Sequence, residues 1–149
     1  MDRKILFSGI LLVAIAGLAL GYLALQKGRP QEITFEQLSA NPALYRGRNI
    51  VIEGFYFQGW EVIVLCERLE PSGYAEGHLA PEGTMIWVEG GVPQDVYEAL
   101  HTQEMMGPEE RFGKVRVRGR YEQGGEYGHL GGFSSQIVPT EVELLQWSP

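Results

Sequence analysis

The sequence predicts a mainly β protein in which a small five-stranded barrel follows one membrane-spanning helix. Residues 5–25 contain no charged side chain, and beyond residue 30 five segments are rich in β-branched and aromatic residues. A short amphipathic segment lies between the third and fourth of these. A chain of 149 residues suits a single folded domain, and one cysteine excludes both an internal disulfide framework and a zinc site built on cysteines.

The apolar segment at residues 5–25 has the length of a transmembrane helix. At about 1.5 Å per residue it spans roughly 31 Å, which matches a bilayer core. Ser8 is its only strongly polar residue, and Tyr22 lies where an interfacial aromatic residue belongs. A cleaved signal peptide is the alternative, but its apolar core usually has only about 7–15 residues. We therefore predict that residues 1–29 form an uncleaved anchor and linker.

The charge distribution separates this anchor from the rest of the chain. Residues 1–29 carry one acid and four bases, a net charge of +3, whereas residues 30–149 carry 18 acids and 8 bases, a net charge of −10. Two bases flank the span on each side, but a short N-terminal tail usually stays in the cytoplasm. We expect a single-pass protein with an extracytoplasmic C-terminal domain, and its acidic charge argues against general nucleic-acid binding.

The domain is predicted to begin with a short helix. Thr34 and Gln37 fit a capping box that starts a helix through about residue 40. Asn41 and Pro42 then suit the cap and the first residue of a second helical turn.

The order of the remaining elements predicts the architecture. The predicted strands are residues 49–58, 61–67, 84–89, 112–122 and 136–145. Pro93 opens a helix between the third and fourth strands. Five strands with a helix in that position have the order of an OB-fold, a small Greek-key barrel, and an open five-stranded sheet with packed helices is the alternative.

Two long connections are candidate functional segments: residues 68–83 and residues 123–135. Loops beyond about 12–15 residues are usually functional or mobile. The second holds five glycines around Tyr127, His129 and Phe133, and in an OB-fold this connection borders the binding groove. We therefore select these three residues as candidate ligand contacts, and a wide hairpin with glycines at positive φ is the alternative.

Aromatic residues on the first and third predicted strands and the first turn form a second candidate set. Phe55, Phe57, Trp60 and Trp87 belong to it, and some of them must fill the barrel. Tyr56 and Trp60 are the predicted exposed stacking surface.

Cations alternate along the fourth predicted strand, at Lys114, Arg116, Arg118 and Arg120. Period-two spacing places them on one face, so Arg116 and Arg118 are candidates for an anionic ligand. The alternative is ion pairing with Glu141 and Glu143 on the next strand.

The single cysteine, Cys66, lies in an apolar strand and is predicted to be a small buried hydrophobe. A nucleophile pair with His78 or His129 is the alternative, although no third orienting group is indicated. The three histidines lack metal-ligand spacing, so no metal and no cofactor is predicted.

Three segments resemble known proteins. The pattern F-x-x-L-x-x-N-P-x-x-Y-x-G-R-x-I-x-I-E-G, from Phe35 to Gly54, resembles the beginning of bacterial OB-fold modules tethered to membranes. Residues 112–119 and 127–133 resemble bacterial single-span membrane proteins. The resemblance implies an OB-fold-like extracytoplasmic domain and brings no established chemistry.

A further resemblance, in architecture alone, is to the haem chaperone of cytochrome c maturation. That family has one N-terminal span and an OB barrel, and it binds haem through the histidine of an H-x-x-x-Y motif. Residues 129–133 read H-x-x-x-F and precede the last predicted strand, whereas the chaperone's histidine follows its barrel.

Taken together, these observations predict a membrane-anchored, non-enzymatic OB-fold-like module, residues 30–149, that binds a protein or other ligand at the membrane surface. An envelope assembly factor or haem-type chaperone using His129 is the second hypothesis, and a hydrolase is the third.

The uncleaved anchor can be tested directly. We expect N-terminal sequencing of the mature protein, purified from membranes, to begin at Met1 or Asp2, because the apolar run is too long for an ordinary signal peptide. A mature chain that begins after Ala19 would contradict this prediction.

Overall fold

The computed structural model describes residues 30–104 and 107–149. Its helices are α1 (Phe35–Ala40), α2 (Pro42–Tyr45) and α3 (Gln94–Ala99), with one 3-10 turn at His129–Gly131. Its strands are β1 (Gln31–Ile33), β2 (Asn49–Gln58), β3 (Ile63–Pro71), β4 (Leu79–Val88), β5 (His101–Gln103), β6 (Glu110–Tyr127) and β7 (Phe133–Leu144). None of the described helices has the length and apolar character needed to cross a bilayer, and the span predicted at residues 5–25 lies outside the described residues.

Five of the strands close into a barrel. Antiparallel pairing joins β2 to β3, β3 to β4, β7 to β6 and β6 back to β2, and a short parallel pairing joins β4 to β7. The two remaining strands add to edges: β1 runs parallel to the first part of β2, and β5 pairs with the start of β6. The predicted mainly β, five-stranded barrel is confirmed.

The barrel strands are strongly staggered. One row of paired residues runs through Phe112, Phe57, Val64, Trp87, Gln136 and Glu122. This row leaves β6 at Phe112 and returns to it at Glu122, ten residues further along. Because of this stagger, β6 coils around the barrel, and the turn between β6 and β7 comes beside the turn between β2 and β3.

The barrel interior is filled by alternate residues of β2 and β6, together with residues of α1. Phe35 and Leu38 of α1 are buried, and Gly54 of β2 makes room for the Phe35 ring, since a Cβ there would lie 2.6 Å from Cε2. The predicted exposure of Tyr56 is wrong. Tyr56 has the same strand parity as Ile52, so it points into the core, and its hydroxyl donates to Gln58 Oε1 at 2.6 Å.

A second apolar cluster, which we name the outer cluster, lies apart from the barrel interior. Phe57, Val64 and Phe112 are its buried centre. The partly buried residues around them are Val62, Leu69, Leu79, Met85, Phe133 and Trp147. Phe57 lies next to Tyr56 and both are buried, so this part of β2 is covered on both faces.

The segment predicted as a long loop at residues 68–83 is mostly strand. β3 extends to Pro71 and β4 begins at Leu79, so only residues 72–78 connect them. The pairing shifts between Cys66 and Arg68, which marks a β-bulge, and bulges bend a strand pair. The hairpin arm beyond the bulge, residues 69–81, contributes Leu69 and Leu79 to the outer cluster. A loop was predicted because prolines and glycines usually break strands.

The predicted loop at residues 123–135 is also shorter than expected. β6 continues to Tyr127 and β7 begins at Phe133, which leaves a turn of five residues. A shift in the β6–β7 pairing between Gln123 and Tyr127 absorbs the extra length of β6.

The helical predictions are confirmed in part. The capping box of α1 is present, with the Thr34 side chain accepting from the Gln37 backbone and the Gln37 side chain accepting from the Thr34 backbone. The sequence from Pro93 predicts a helix through residue 103, but the helix ends at Ala99, and His101 begins β5 on the edge of β6.

Gly119 provides a test of the barrel's close packing. A Cβ at this position would clash with the carbonyl oxygen of Val138 and lie 2.9 Å from Ile137 Cγ1. We expect Gly119→Ala to destabilise the fold by about 1–3 kcal/mol, as overpacked cores do, and to lower the melting temperature. Gly107→Ala is the control, because among the described residues the nearest atom to its Cβ, Trp60 Cε3, would lie at an ordinary 3.8 Å. Equal melting temperatures for the two variants would contradict the packing described.

Candidate functional site

Two adjacent turns at one end of the barrel expose large apolar side chains. Trp60, between β2 and β3, is 77% exposed, and Leu130, between β6 and β7, is 92% exposed. Most large apolar side chains of the described residues are buried or half-buried, so two on neighbouring turns are a local exception. We name residues 59–62 and 128–132 together the turn surface.

A contact between the His129 imidazole and the Glu61 carboxylate joins the two turns. His129 Nε2 lies 3.5 Å from Glu61 Oε1, and both side chains are roughly half exposed. An exposed pair of this kind contributes little to stability, about 0–1 kcal/mol. It does show that the two turns are close in space, because His129 precedes Leu130 and Glu61 follows Trp60.

The backbone of the second turn holds Leu130 in an unusual conformation. Leu130 has φ 52° and ψ 23°, in the left-handed region that non-glycine residues seldom adopt. Gly128 and Gly131 on either side also have positive φ, so the turn depends on them. A leucine in the left-handed conformation costs roughly 1–2 kcal/mol of folding free energy. Burial of the side chain does not offset this cost, because Leu130 is exposed.

Aromatic side chains support the second turn from below. Trp87 of β4 packs on Phe133 with ring centroids 5.5 Å apart, and Gly128 sits against the Trp87 ring, where a Cβ would be 2.5 Å away. Tyr127 is half-buried on the same hairpin, whereas His129 is exposed. Of the candidates predicted from the sequence, Trp60 and His129 therefore belong to the exposed surface, and Tyr127 and Phe133 lie at its base.

The arginines on the basic face of β6 are engaged in ion pairs. Arg116 lies between Glu53 on β2 and Glu143 on β7, and Arg118 pairs with Glu141 at 3.3 Å. The hydrogen bond that Arg116 donates to Glu53, followed by the negative charge of Glu53, raises the pKa of Arg116. The cross-strand pairing considered from the sequence is thus present, and these two arginines lie away from the turn surface.

Cys66 is fully buried, as predicted. Its thiol donates to the carbonyl oxygens of Phe55 and Arg68, and burial raises its pKa to about 12. A thiol of this kind is a poor nucleophile. Neither His78 nor His129 is among its hydrogen-bond partners, since each histidine faces a different carboxylate.

A buried polar cluster fixes the hairpin arm to β5 and β6. His78 Nδ1 lies 2.7 Å from Ser72 Oγ, and His78 Nε2 lies 3.0 Å from Glu110 Oε2, without the alignment of a hydrogen bond. Gln103 Nε2 donates to the same Glu110 oxygen and to the carbonyl of Leu79, both at 2.7 Å. His78 and Glu110 are both buried.

The order serine, histidine, carboxylate in this cluster is also that of a nucleophilic triad. Here, however, the Ser72 hydroxyl also accepts the backbone N–H of Tyr74, and Glu110 is held by Gln103. These contacts connect the tip of the arm to two other strands, so we interpret the cluster as a structural clamp. Within residues 30–104 and 107–149, no group of three or more histidine, cysteine, aspartate or glutamate side chains is arranged to hold a metal ion.

Sequence reasoning missed Leu130 and Glu61 at the turn surface and Glu110 in the clamp. The run Gly-His-Leu-Gly-Gly offered a signal for Leu130, because a lone apolar residue among glycines has no strand neighbours to pack against. Glu110 carried no local signal, since its burial depends on an arm that is distant in sequence.

Comparison with known proteins adds little to this description. No family model and no curated protein matches the sequence. A solved structure, a DUF3299 family protein from Pseudomonas aeruginosa PAO1, is 12% identical, and the alignment covers 82% of this chain and 100% of that chain with a TM-score of 0.45. This similarity establishes neither a shared family nor a shared function.

The structural interpretation of the clamp can be tested at Glu110. We expect Glu110→Ala to cost about 1–3 kcal/mol of unfolding free energy, because it removes the carboxylate that faces the buried His78 and accepts from the half-buried Gln103. Hydrogen exchange should become faster in the arm, residues 69–81, than in the rest of the barrel. Glu109→Ala is the control: this neighbouring carboxylate pairs with Arg111 at 2.7 Å but is exposed. Labelling of Ser72 by a serine-reactive fluorophosphonate would contradict a purely structural role.

Proposed function

We propose that this protein is a membrane-anchored, non-enzymatic OB-fold-like binding module that engages a protein partner at the membrane surface. The observation that carries the proposal is the exposure of Trp60 and Leu130 on two turns that the His129–Glu61 contact joins. Exposed apolar side chains on a supported backbone are typical of contact surfaces, and tryptophan is enriched among the residues that dominate binding energy.

The strand connections support the OB-fold-like assignment. The five barrel strands follow one another as β2, β3, β4, β6 and β7, with α3 between the third and the fourth and a parallel pairing of the third with the fifth. OB-folds bind ligands near the loop between their first two strands and the loop between their last two. Those loops correspond here to the two turns of the turn surface.

Charge around the turn surface favours a protein over a nucleic acid. Glu61 contacts His129, Glu126 lies beside Gly131, and Glu89 accepts a hydrogen bond from Trp87 Nε1. These carboxylates would repel phosphates. A complementary partner would present an apolar anchor bordered by lysine or arginine side chains.

The membrane anchor is the second component of the proposal. It is supported by the uncharged run at residues 5–25 and by the short linker, residues 26–30, between that run and β1. The N-terminus is proposed to be cytoplasmic and the barrel extracytoplasmic, which places the binding surface outside the cell membrane.

Photo-crosslinking of the full-length chain in its native membranes tests the proposal. A photoreactive phenylalanine analogue at position 60 should form a defined adduct with one protein partner. The same analogue at position 74 is the matched control, because Tyr74 is 74% exposed but belongs to the hairpin arm and to neither turn of the turn surface. Adding Leu130→Ala to the position-60 protein should weaken partner affinity about tenfold, the effect of losing roughly 1.4 kcal/mol from one anchor side chain.

The melting temperature should stay nearly unchanged, because the Leu130 side chain is exposed. Identical adducts from positions 60 and 74, or full partner affinity after Leu130→Ala, would contradict the proposal.

A further inference from the structure

An exposed basic and apolar patch lies at the start of β2. Leu44 of α2 is 46% exposed, and the neighbouring Arg46 and Arg48 are exposed as well. The backbone of this turn is held in place, because Gly47 N donates to the Tyr121 carbonyl at 2.8 Å and Tyr121 N donates to the Arg48 carbonyl at 2.9 Å. We name Leu44, Arg46 and Arg48 the proximal patch.

The charge of the proximal patch contrasts with the rest of the domain. Residues 30–149 carry a net charge of −10, and among the described residues most cations have a carboxylate within 4 Å. Within residues 30–104 and 107–149, Arg46, Arg48 and Lys114 have no carboxylate within that distance. Two arginines that are separated in sequence by Gly47 alone, and that an acidic domain leaves without ion pairs, are suited to bind an external anion.

The strand register places this patch beside the N-terminal end of the domain. β1 runs parallel to β2, with Gln31 opposite Ile50, so the N-terminal end of β1 lies at the same end of the sheet as Asn49 and Arg48. Five residues, 26–30, separate the proposed transmembrane segment from β1, and at about 3.3–3.6 Å per residue they reach at most roughly 20 Å. With the anchor of the proposed function in the bilayer, a tether of this length keeps the proximal patch near the bilayer surface.

From these observations we propose that the proximal patch rests on the bilayer, with Arg46 and Arg48 binding the phosphates of anionic phospholipids and Leu44 contacting the headgroup–acyl boundary. This inference rests on the membrane anchor of the proposed function. Arginine suits the role because its planar guanidinium binds phosphate through two parallel hydrogen bonds and is only weakly hydrated. The short tether holds the domain near the bilayer at one point, and the basic patch binds the same surface at another. Together the two attachments fix an orientation of the domain that neither fixes alone.

The proposal also orients the turn surface. Asn49 begins β2 and Trp60 follows its end, and ten strand residues extend over about 33 Å. With the start of β2 on the lipid, Trp60 and Leu130 face away from the bilayer, where a partner can reach them.

Spin labelling of the full-length chain in lipid nanodiscs tests the proposal. A nitroxide is attached at Ala43→Cys, an exposed position in α2, and nickel-chelating lipids provide the relaxing agent in the bilayer. We expect lipid-dependent relaxation at residue 43 to be at least twofold stronger in nanodiscs containing one third phosphatidylglycerol than in phosphatidylcholine alone. Arg46→Gln with Arg48→Gln should remove this difference.

A charge-matched control is the pair Arg68→Gln with Lys114→Gln, which removes the same net charge from other parts of the domain. This control should keep the difference in relaxation at residue 43 between the two lipid compositions. A label at Tyr74→Cys should show no dependence on lipid charge. Equal relaxation at residue 43 in both lipids, or the same loss in the control pair, would overturn the proposal. Dipolar coupling between labels on two chains would assign the patch to a second copy and would also overturn it.

Failure of the anchor gives a different result. A chain that did not incorporate into nanodiscs would contradict the membrane anchor of the proposed function. A chain that incorporates but shows no effect of lipid charge at residue 43 would contradict only the lipid-binding role of the proximal patch.

Discussion

Barrel closure by the pairing of β2 with β6 is the constraint on which the rest of the structure depends. This ladder runs the whole length of β2, from Asn49 opposite Arg120 to Gln58 opposite Arg111. It aligns the buried side chains of both strands and leaves room for the α1 side chains inside. It also sets the stagger that brings the β6–β7 turn next to the β2–β3 turn, so the turn surface exists only in the closed barrel.

Covering β2 on its outer side is the second requirement of this architecture. Phe57 and Phe112 face outward at one end of the closing ladder, and leaving two aromatic rings in water would forfeit much of their hydrophobic contribution. The hairpin arm and Trp147 cover them, and the Trp147 ring lies 5.0 Å from Phe55 and 6.2 Å from Phe112. The buried polar clamp then keeps the arm in position, which explains why hydrophilic side chains are buried at its tip.

Local sequence signals were sufficient to predict the features that depend on residues close together in the chain. The capping box of Thr34 and Gln37, the order of the barrel strands and the burial of Cys66 all follow from neighbouring residues. Tyr56 and Phe57 show where such reasoning fails. They are adjacent in a strand, so alternation predicts that one of them is exposed, but the cover for Phe57 comes from the arm and the C-terminal segment.

Some residues of the candidate site could be predicted from the sequence, but the contact that joins them could not. Trp60 and His129 follow from an aromatic residue in a tight turn and from a glycine-rich connection. The contact between His129 and Glu61 could not be predicted, because it results from the stagger of a closed barrel rather than from any spacing along the chain. The same holds for the proximal patch, where the register of β1 against β2 brings the N-terminal end of the domain beside Arg48.

The pairing of β2 with β6 also has a consequence for the order of folding. The residues that it joins are distant in sequence, as in the ion pair of Glu53 with Arg116, 63 positions apart. Contacts of this range incur a large loop-closure entropy before they contribute stability, and chains dominated by them fold in milliseconds to seconds. The β3–β4 and β6–β7 hairpins can form earlier, since each closes through a short turn. Until the barrel closes, one edge of β2 and one edge of β6 stay unpaired, so the nascent domain is most vulnerable to intermolecular strand pairing in that interval.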